Sequence, residues 1–340
     1  MFKYLLAKNF GIFKRLECQE HQKINIIIGE NDTGKSYILK LLYTIAKSVE
    51  EYTKLSDEKS WEQILSDKML FIFQPSKLNL GRIVRRSGNT LHVKALLQGD
   101  KYSFSFGKGA KYSITECGEA AKKLDLNALY IPSKEFLTAL DNIETFYKQL
   151  RAFGFDQTYQ DLIEVLAVRA SIKKLDKPLE DVLNSLQNLF QGELSVEEKR
   201  FIFKCCGEKY ELSQVAEGIK RISLLTTLIR NGAIKKGTIL FIDEPETSLH
   251  PRTIIALCEI LFALSQAGVQ IYMATHSYFV LKKFELIARK HQESIQLCCL
   301  EKAEDINAKF YDIREGMRDN LIIDTSIKLY EEDVRLDIEA

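Results

Sequence analysis

The chain has 340 residues, enough to bury the core of one large domain or two moderate ones. Its 48 Lys and Arg nearly cancel its 47 Asp and Glu, so no global field draws it to a polyanion, and any contact with nucleic acid needs a local patch. No run approaches the ~18 apolar residues of a membrane span and the N-terminus lacks a signal-peptide core, so the protein is expected to be soluble and cytoplasmic, with no membrane partner. Cys18, Cys117, Cys205, Cys206, Cys258, Cys298 and Cys299 form no C-x-x-C pair and sit mostly among apolar neighbours, the pattern of reduced, buried thiols. The doublets Cys205-Cys206 and Cys298-Cys299 put neighbouring thiols on opposite faces if they lie in strands, which argues against joint zinc ligation.

Two short strands open the chain, Phe2–Ala7 and Ile12–Cys18, joined around Asn9-Phe10-Gly11. A third, Ile24–Ile28, runs into Gly29-Glu30-Asn31-Asp32-Thr33-Gly34-Lys35-Ser36, which fits G-x-x-x-x-G-K-[ST] between an apolar β-branched run and a helical pattern. The spacing has a chemical reason. Glycines at both ends let the backbone curl so that successive N–H groups, through Tyr37, face one anion, and the following helix adds its positive end. Lys35 is placed to reach the outer phosphates and the Ser36 hydroxyl to bind Mg²⁺. A glycine-bearing turn that binds nothing is the plain alternative, and the complete motif in its full setting weighs against it. The segments K-N-F-G-I-F-K and I-N-I-I-I-G-E-N-D-T-G-K-S resemble the N-terminus of ATPases of the SMC, RecF and OLD type, a branch of the ABC ATPases.

From Gly34 a helix is predicted to about Val49, followed by a polar segment with a second helix around Trp61, Ile64 and Leu65. Residues 69–115 then alternate in the β manner, with a hairpin turn at Gly99-Asp100. This stretch suits the antiparallel arm that the resemblance implies. Lys77, Arg82, Arg85 and Arg86 form its densest basic cluster; a solvated strand face explains them as well as a DNA-backbone contact does.

The strand Ala128–Ile131 ends in Pro132-Ser133-Lys134-Glu135. The resemblance puts the family's Q-loop here, with Glu135 as a metal-side carboxylate, and Gln74 is the rival for that role. Residues 136–190 read as helical throughout, with Phe136, Leu140, Ile143, Tyr147 and Leu150 and then Leu179, Val182, Leu186 and Leu189 at helical spacing. The insert is too short and too irregular for the long coiled coil of SMC-like proteins. It reads instead as a compact helical subdomain, either a platform for a partner or a cover for the sheet.

A β hairpin within residues 193–212, turning around Gly207-Glu208, precedes a helix over Ser213–Asn231. By resemblance its start is the ABC signature, with Ala216 in place of the serine, Glu217 in place of the first glycine and Gly218 as the second. The contact to a neighbour's γ-phosphate would then fall to the helix end, Gly218 and Lys220. Four apolar residues, Ile239–Ile242, lead to Asp243-Glu244-Pro245-Glu246, which puts two carboxylates at the mouth of a buried strand. The resemblance implies that Asp243 orders Mg²⁺, that Glu244 polarises the attacking water and that Ser248-Leu249-His250 is a D-loop on a dimer seam. After a helix at 251–267, Val269–Ala274 is another core strand, and His276 resembles the switch histidine that meets the γ-phosphate. Strands near 295–300 and 308–313 and the segment Leu321–Glu332 close the chain, whose tail is too short for a Toprim nuclease domain.

The expected fold is α/β: a P-loop NTPase of the ABC head type with a mainly parallel core sheet, an antiparallel arm and a helical insert. Residues 1–135 would form an N-terminal lobe, 136–192 the insert and 193–340 a C-terminal lobe. The resemblance implies ATP and Mg²⁺, an ATP-dependent homodimer or higher oligomer, hydrolysis by water, and a separate effector such as a nuclease or toxin in bacterial defence. A DNA-repair or chromosome-maintenance ATPase that binds DNA directly, and a non-hydrolysing ATP-sensing scaffold, are the alternatives.

Overall fold

A computed structural model describes residues 1–55, 58–118, 124–139, 155–167, 175–189, 192–197, 200–317 and 320–339. The hairpin β1 (Phe2–Phe10) and β2 (Phe13–Cys18) leads to β3 (Ile24–Gly29), the phosphate loop and a long helix, α1 (Lys35–Leu55). α2 (Trp61–Phe73) begins at a capping box between Ser60 and Gln63. β4 (Thr90–Leu97), β5 (Asp100–Gly107) and β6 (Glu116–Cys117) join the first hairpin in an antiparallel sheet of order β2-β1-β4-β5-β6. The turn between β4 and β5 is Gln98-Gly99, one residue earlier than predicted: both residues take positive φ, 51° and 91°, as a two-residue I′ turn requires, so Asp100 already pairs with Leu97.

β7 (Asn127–Ile131) returns the chain to the centre. The stretch expected to be helical throughout is interrupted: a short 3-10 turn at Leu137–Ala139 precedes α3 (Gln157–Ala167) and α4 (Lys177–Leu189), and the part holding Leu140, Ile143, Tyr147 and Leu150 lies outside the described residues. β8 (Glu193–Glu197), β9 (Arg200–Cys205) and β10 (Glu208–Glu211) form a small antiparallel sheet that feeds α5 (Glu217–Arg230). Then come β11 (Thr238–Asp243), α6 (Pro251–Gln266), β12 (Gln270–Ala274), α7 (Tyr278–His291), β13 (Gln296–Lys302), β14 (Ile306–Asp312) and α8 (Leu321–Glu339).

The central sheet has the order β14-β13-β3-β12-β11-β7, parallel except for the edge strand β14. Its inner strands β3, β12 and β11 are apolar on both faces because both are covered, and the period of two sorts their side chains between two core layers. Ile24, Ile26, Ile28, Leu240, Ile242, Ile271 and Met273 face the layer of α3 to α7. Ile27, Ile239, Phe241, Tyr272 and Ala274 face α1, α2 and the arm. The chain thus places β3, β12 and β11 side by side, and the loops after these three strands share one edge.

A buried charge cluster fastens α3 to the helices beside it. Lys68 of α2, its side chain 2% exposed, lies 3.1 Å from Asp161 of α3 and 2.5 Å from Glu51 of α1. The Tyr43 hydroxyl of α1 donates to Asp161 at 2.7 Å. Among the described residues no helix is long and apolar enough to cross a membrane.

Candidate active site

The phosphate loop is held open by steric necessity. A Cβ on Gly29 (φ 157°) would come within 2.6 Å of the Thr33 hydroxyl and 2.8 Å of the Leu300 carbonyl oxygen, and one on Gly34 (φ 88°) within 2.7 Å of the Phe13 ring. Asp32 also turns left-handed, at φ 64°. Thr33 closes the loop by donating to the Glu30 carbonyl at 2.8 Å. Lys35 Nζ crosses it, donating to the carbonyls of Gly29 and Glu30, both at 2.9 Å. Burial lowers its proton affinity, and the field of Glu244, Asp243 and Glu246 opposes that shift.

At the end of β11 Asp243 is 7% exposed; its carboxylate accepts a hydrogen bond from the Ser36 hydroxyl and lies 3.4 Å from the Tyr130 hydroxyl. Burial raises its proton affinity, the largest of the influences on it. A hydroxyl and a carboxylate that converge beside a lysine-crossed glycine loop are the oxygen donors that Mg²⁺ takes, so the residues fit the ion.

Glu244 follows at φ 51°, a left-handed step that turns its carboxylate away from the strand line. Its N–H donates to the Ala274 carbonyl at 2.9 Å. Its carboxylate accepts from the Thr247 hydroxyl at 3.3 Å and lies 3.5 Å from His276 Nδ1. Glu246 ties this edge to β12, accepting from the Thr275 hydroxyl at 2.7 Å and the His276 N–H at 3.1 Å. The loop of β3 and the tips of β11 and β12 therefore bring Lys35, Ser36, Asp243, Glu244 and His276 together.

The signature region differs in detail from its expected role. Ala216 caps α5 without a side-chain bond, and the Ser248 hydroxyl meets Glu217. A Cβ on Gly218 would come within 2.6 Å of the Ser248 carbonyl oxygen, so glycine here lets α5 lie against the loop after β11. Lys220 is not presented to a neighbouring copy: its side chain is 6% exposed, donates to Thr138 at 2.7 Å and faces Glu135 at 3.7 Å. Its position one turn into the helix directs it inward. Glu135 also accepts from the Thr138 N–H at 3.1 Å. The rival Gln74 spends its side-chain amide on the Phe155 carbonyl, at 3.1 Å. His250 caps α6 through Nδ1, which accepts from the Arg252 N–H at 3.2 Å. The Tyr37 ring packs on Phe10 and Phe73, with centroids 5.4 and 5.0 Å away.

Sequence reasoning missed Arg221. Its guanidinium, pushed down by burial, donates to the Glu244 carbonyl at 2.9 Å and to the carbonyls of Ser133 and Pro132. It joins α5, the tip of β11 and the turn after β7, a role only the tertiary structure reveals. Glu246, Thr275 and Tyr130 also gain their roles only from the tertiary structure, through the bonds that tie Glu246 to Thr275 and Tyr130 to Asp243. In the basic cluster of the arm, Arg85 is engaged by Asp305, and Lys108 donates to the Arg86 carbonyl.

Residues 128–282 match the family described as "AAA domain, putative AbiEii toxin, Type IV TA system". The Old nuclease of Escherichia phage P2 is 41% identical over 64 residues, which are 19% of this chain and 10% of that protein, so this match spans a small part of its relative's length. An ATP/GTP phosphatase of Helicobacter pylori is 20% identical over 89% of this chain and 93% of its own. Among solved structures, an Smc head bound to the C-winged helix domain of ScpA aligns with TM-score 0.55 and 11% identity over 94% of this chain and 99% of its own. The Smc head with an extended coiled coil from Pyrococcus furiosus, bound to the C-terminal domain of ScpA, aligns with TM-score 0.51 and 10% identity over 97% and 98%. These two show the fold. With a phosphate loop, an acidic strand tip and a histidine after the next strand gathered at one edge of that fold, the chain is similar to ABC-type ATPases of the SMC and OLD-like kind.

Proposed function

We propose that the chain binds ATP with Mg²⁺, hydrolyses it at the seam of a head-to-head dimer, and uses closure of that dimer to control a separate effector in the cytoplasm. The observation that carries this reading is the Ser36–Asp243 hydrogen bond beside Lys35, with the Glu244–His276 pair at 3.5 Å on the adjoining strand tips. Ser36 and Asp243 would hold the ion, which supplies neutralisation of charge on the phosphate oxygens. Lys35 exchanges the loop carbonyls for phosphate oxygens, and the N–H groups of residues 29–37 orient them. Glu244 orients water and accepts its proton, and His276, held through its N–H by Glu246, faces the terminal phosphate. Glu135 joins the metal side only by leaving Thr138 and Lys220. Across the seam, the N–H groups at the start of α5, near Gly218, and the D-loop residues Ser248 and His250 face the partner's phosphates. The division into residues 1–135, 136–192 and 193–340 is the organisation we propose for this machine.

An effector of nuclease or toxin type in bacterial defence is supported by the names of two relatives, the phage Old nuclease and the toxin family of the matching domain. The test is phosphate release with Mg²⁺ from the wild type and from Glu244→Gln. Removal of a general base is expected to slow the wild-type rate about 10²-fold or more. Equal, near-zero rates would sink hydrolysis and favour the ATP-sensing scaffold, a reading that the missing hydroxyl at Ala216 also supports.

A further inference from the structure

β9 ends at Cys205 and turns through Cys206 and Gly207 into β10. Both turn residues take positive φ, 53° and 84°, the I′ geometry of a two-residue hairpin. Within a strand, alternation sends neighbouring side chains to opposite faces, as it does at Cys298 and Cys299 of β13, which enter different core layers. The left-handed step at Cys206 cancels that alternation, so the opposite-face expectation fails for the first doublet: its two sulfurs are 3.4 Å apart. Cys206 is exposed and Cys205 half-buried, on an open cleft of about 350 Å³ that Gln187, Lys204 and Arg230 also line.

We propose that Cys205 and Cys206 form a vicinal dithiol site that captures one trivalent arsenic centre, as arsenite or a monosubstituted arsenoxide, through both sulfurs. A hydrated arsenoxide, R–As(OH)₂, loses both hydroxyls: two As–O bonds break, two As–S bonds form, and each thiol proton leaves on a hydroxide as water. Arsenic stays trivalent, so no oxidant or reductant is consumed. A pyramidal arsenic holds its two sulfurs near the separation already present, and closing the second bond is intramolecular. Direct oxidation is the harder course, because the sulfurs would have to approach to about 2.05 Å across one peptide, whose Cα atoms stand ~3.8 Å apart against roughly 4.4–6.8 Å in ordinary disulfides. The hydrogen bond between the two thiols raises the proton affinity of Cys205, and the greater exposure of Cys206 makes it the first sulfur to meet the arsenical. Other thiols compete poorly: burial pushes Cys18 and Cys299 up to about 12 and Cys117 up to about 11.

The full chain is treated with phenylarsine oxide, washed with excess 2-mercaptoethanol and weighed intact, beside Cys205→Ser, Cys206→Ser and Cys117→Ser. One arsenical per wild-type chain is expected to survive the monothiol and to leave with a dithiol such as 2,3-dimercaptopropanol. Cys117→Ser should keep it, and both doublet variants should lose it. The hydroxyl replacements lie at the end of β9 and in the exposed turn after it, and circular dichroism reports whether they fold. An adduct retained by either doublet variant, or washed from the wild type by the monothiol, overturns the assignment.

Discussion

Asp243 is held against its own electrostatic preference. Its carboxyl is buried at the end of β11, and burial raises its pKa above the ordinary 3.8 despite hydrogen bonds from Ser36 and Tyr130. Between the ordinary value and the raised one the folded chain binds more protons than the unfolded chain. Nucleotide-free stability should therefore fall as pH rises through that window, and the cost of the buried charge is fully present above it. Asp243→Asn removes the charge and keeps the shape. Without nucleotide its melting temperature should exceed that of the wild type at pH 7, with the gap closing as pH falls. The further rise that Mg²⁺ and ATP give the wild type should vanish in the variant, because a ligand stabilises only the state it binds. Differential scanning fluorimetry over a pH series reads both effects, and a variant that melts lower than the wild type without nucleotide would contradict the argument.

Three elements meet at Arg221, and their agreement fixes where Glu244 points. The Arg221 guanidinium of α5 donates to the carbonyl of Glu244 and to those of Pro132 and Ser133 after β7. A lysine ammonium is a compact point charge without the planar fork and cannot bridge the same set. Arg221→Lys and Arg221→Gln each leave buried carbonyls short of donors, a loss of about 1–3 kcal/mol. Because Arg221 touches the backbone that carries Glu244 and none of the residues assigned to the phosphates, kcat should fall while KM for ATP stays near that of the wild type. Steady-state kinetics across ATP concentrations decides it: a raised KM with kcat preserved would mean that Arg221 serves binding.

The same contact marks the boundary of what the sequence discloses. The phosphate loop, Asp243-Glu244 and His276 are legible because each lies in a short contiguous pattern at a strand end, where spacing and chemistry are read together. Arg221, Tyr130 and Glu246 act through partners 23 to 113 residues away, and no local pattern carries that information. Lys220 shows the converse: the motif position was readable, and its direction was not, since that depends on Thr138 and Glu135 approaching from another segment. The parallel core followed from apolar runs, whereas the turns at Gln98-Gly99 and Cys206-Gly207 depended on non-glycine residues accepting positive φ.

At the scale of the whole molecule, the proposed dimer would be completed at an unfinished edge of each chain. α5 starts at Ala216 without a side-chain cap, so the first N–H groups of the helix remain suited to an anion, while Glu217 and Gly218 are fastened to Ser248 of the same chain. In the dimer we propose, the start of α5 and the 248–250 loop would move as one body, and a two-fold arrangement would bring that body to the phosphates held by a second copy. ATP promotes such a dimer only by binding the closed state more tightly than the open one. Glu244→Gln, which retains the nucleotide, should double its mass in light scattering when Mg²⁺ and ATP are added, and Lys35→Ala should stay at the mass of one chain. In that proposed dimer Glu217 would place a negative charge near the incoming phosphate, a repulsion at the seam. Glu217→Gly, built on Glu244→Gln, should therefore reach the doubled mass at lower protein concentration. A mass that ignores ATP in Glu244→Gln at every concentration tried would rule out the shared site, and a Glu217→Gly variant that dimerises less readily would show that its bond to Ser248 matters more than its charge.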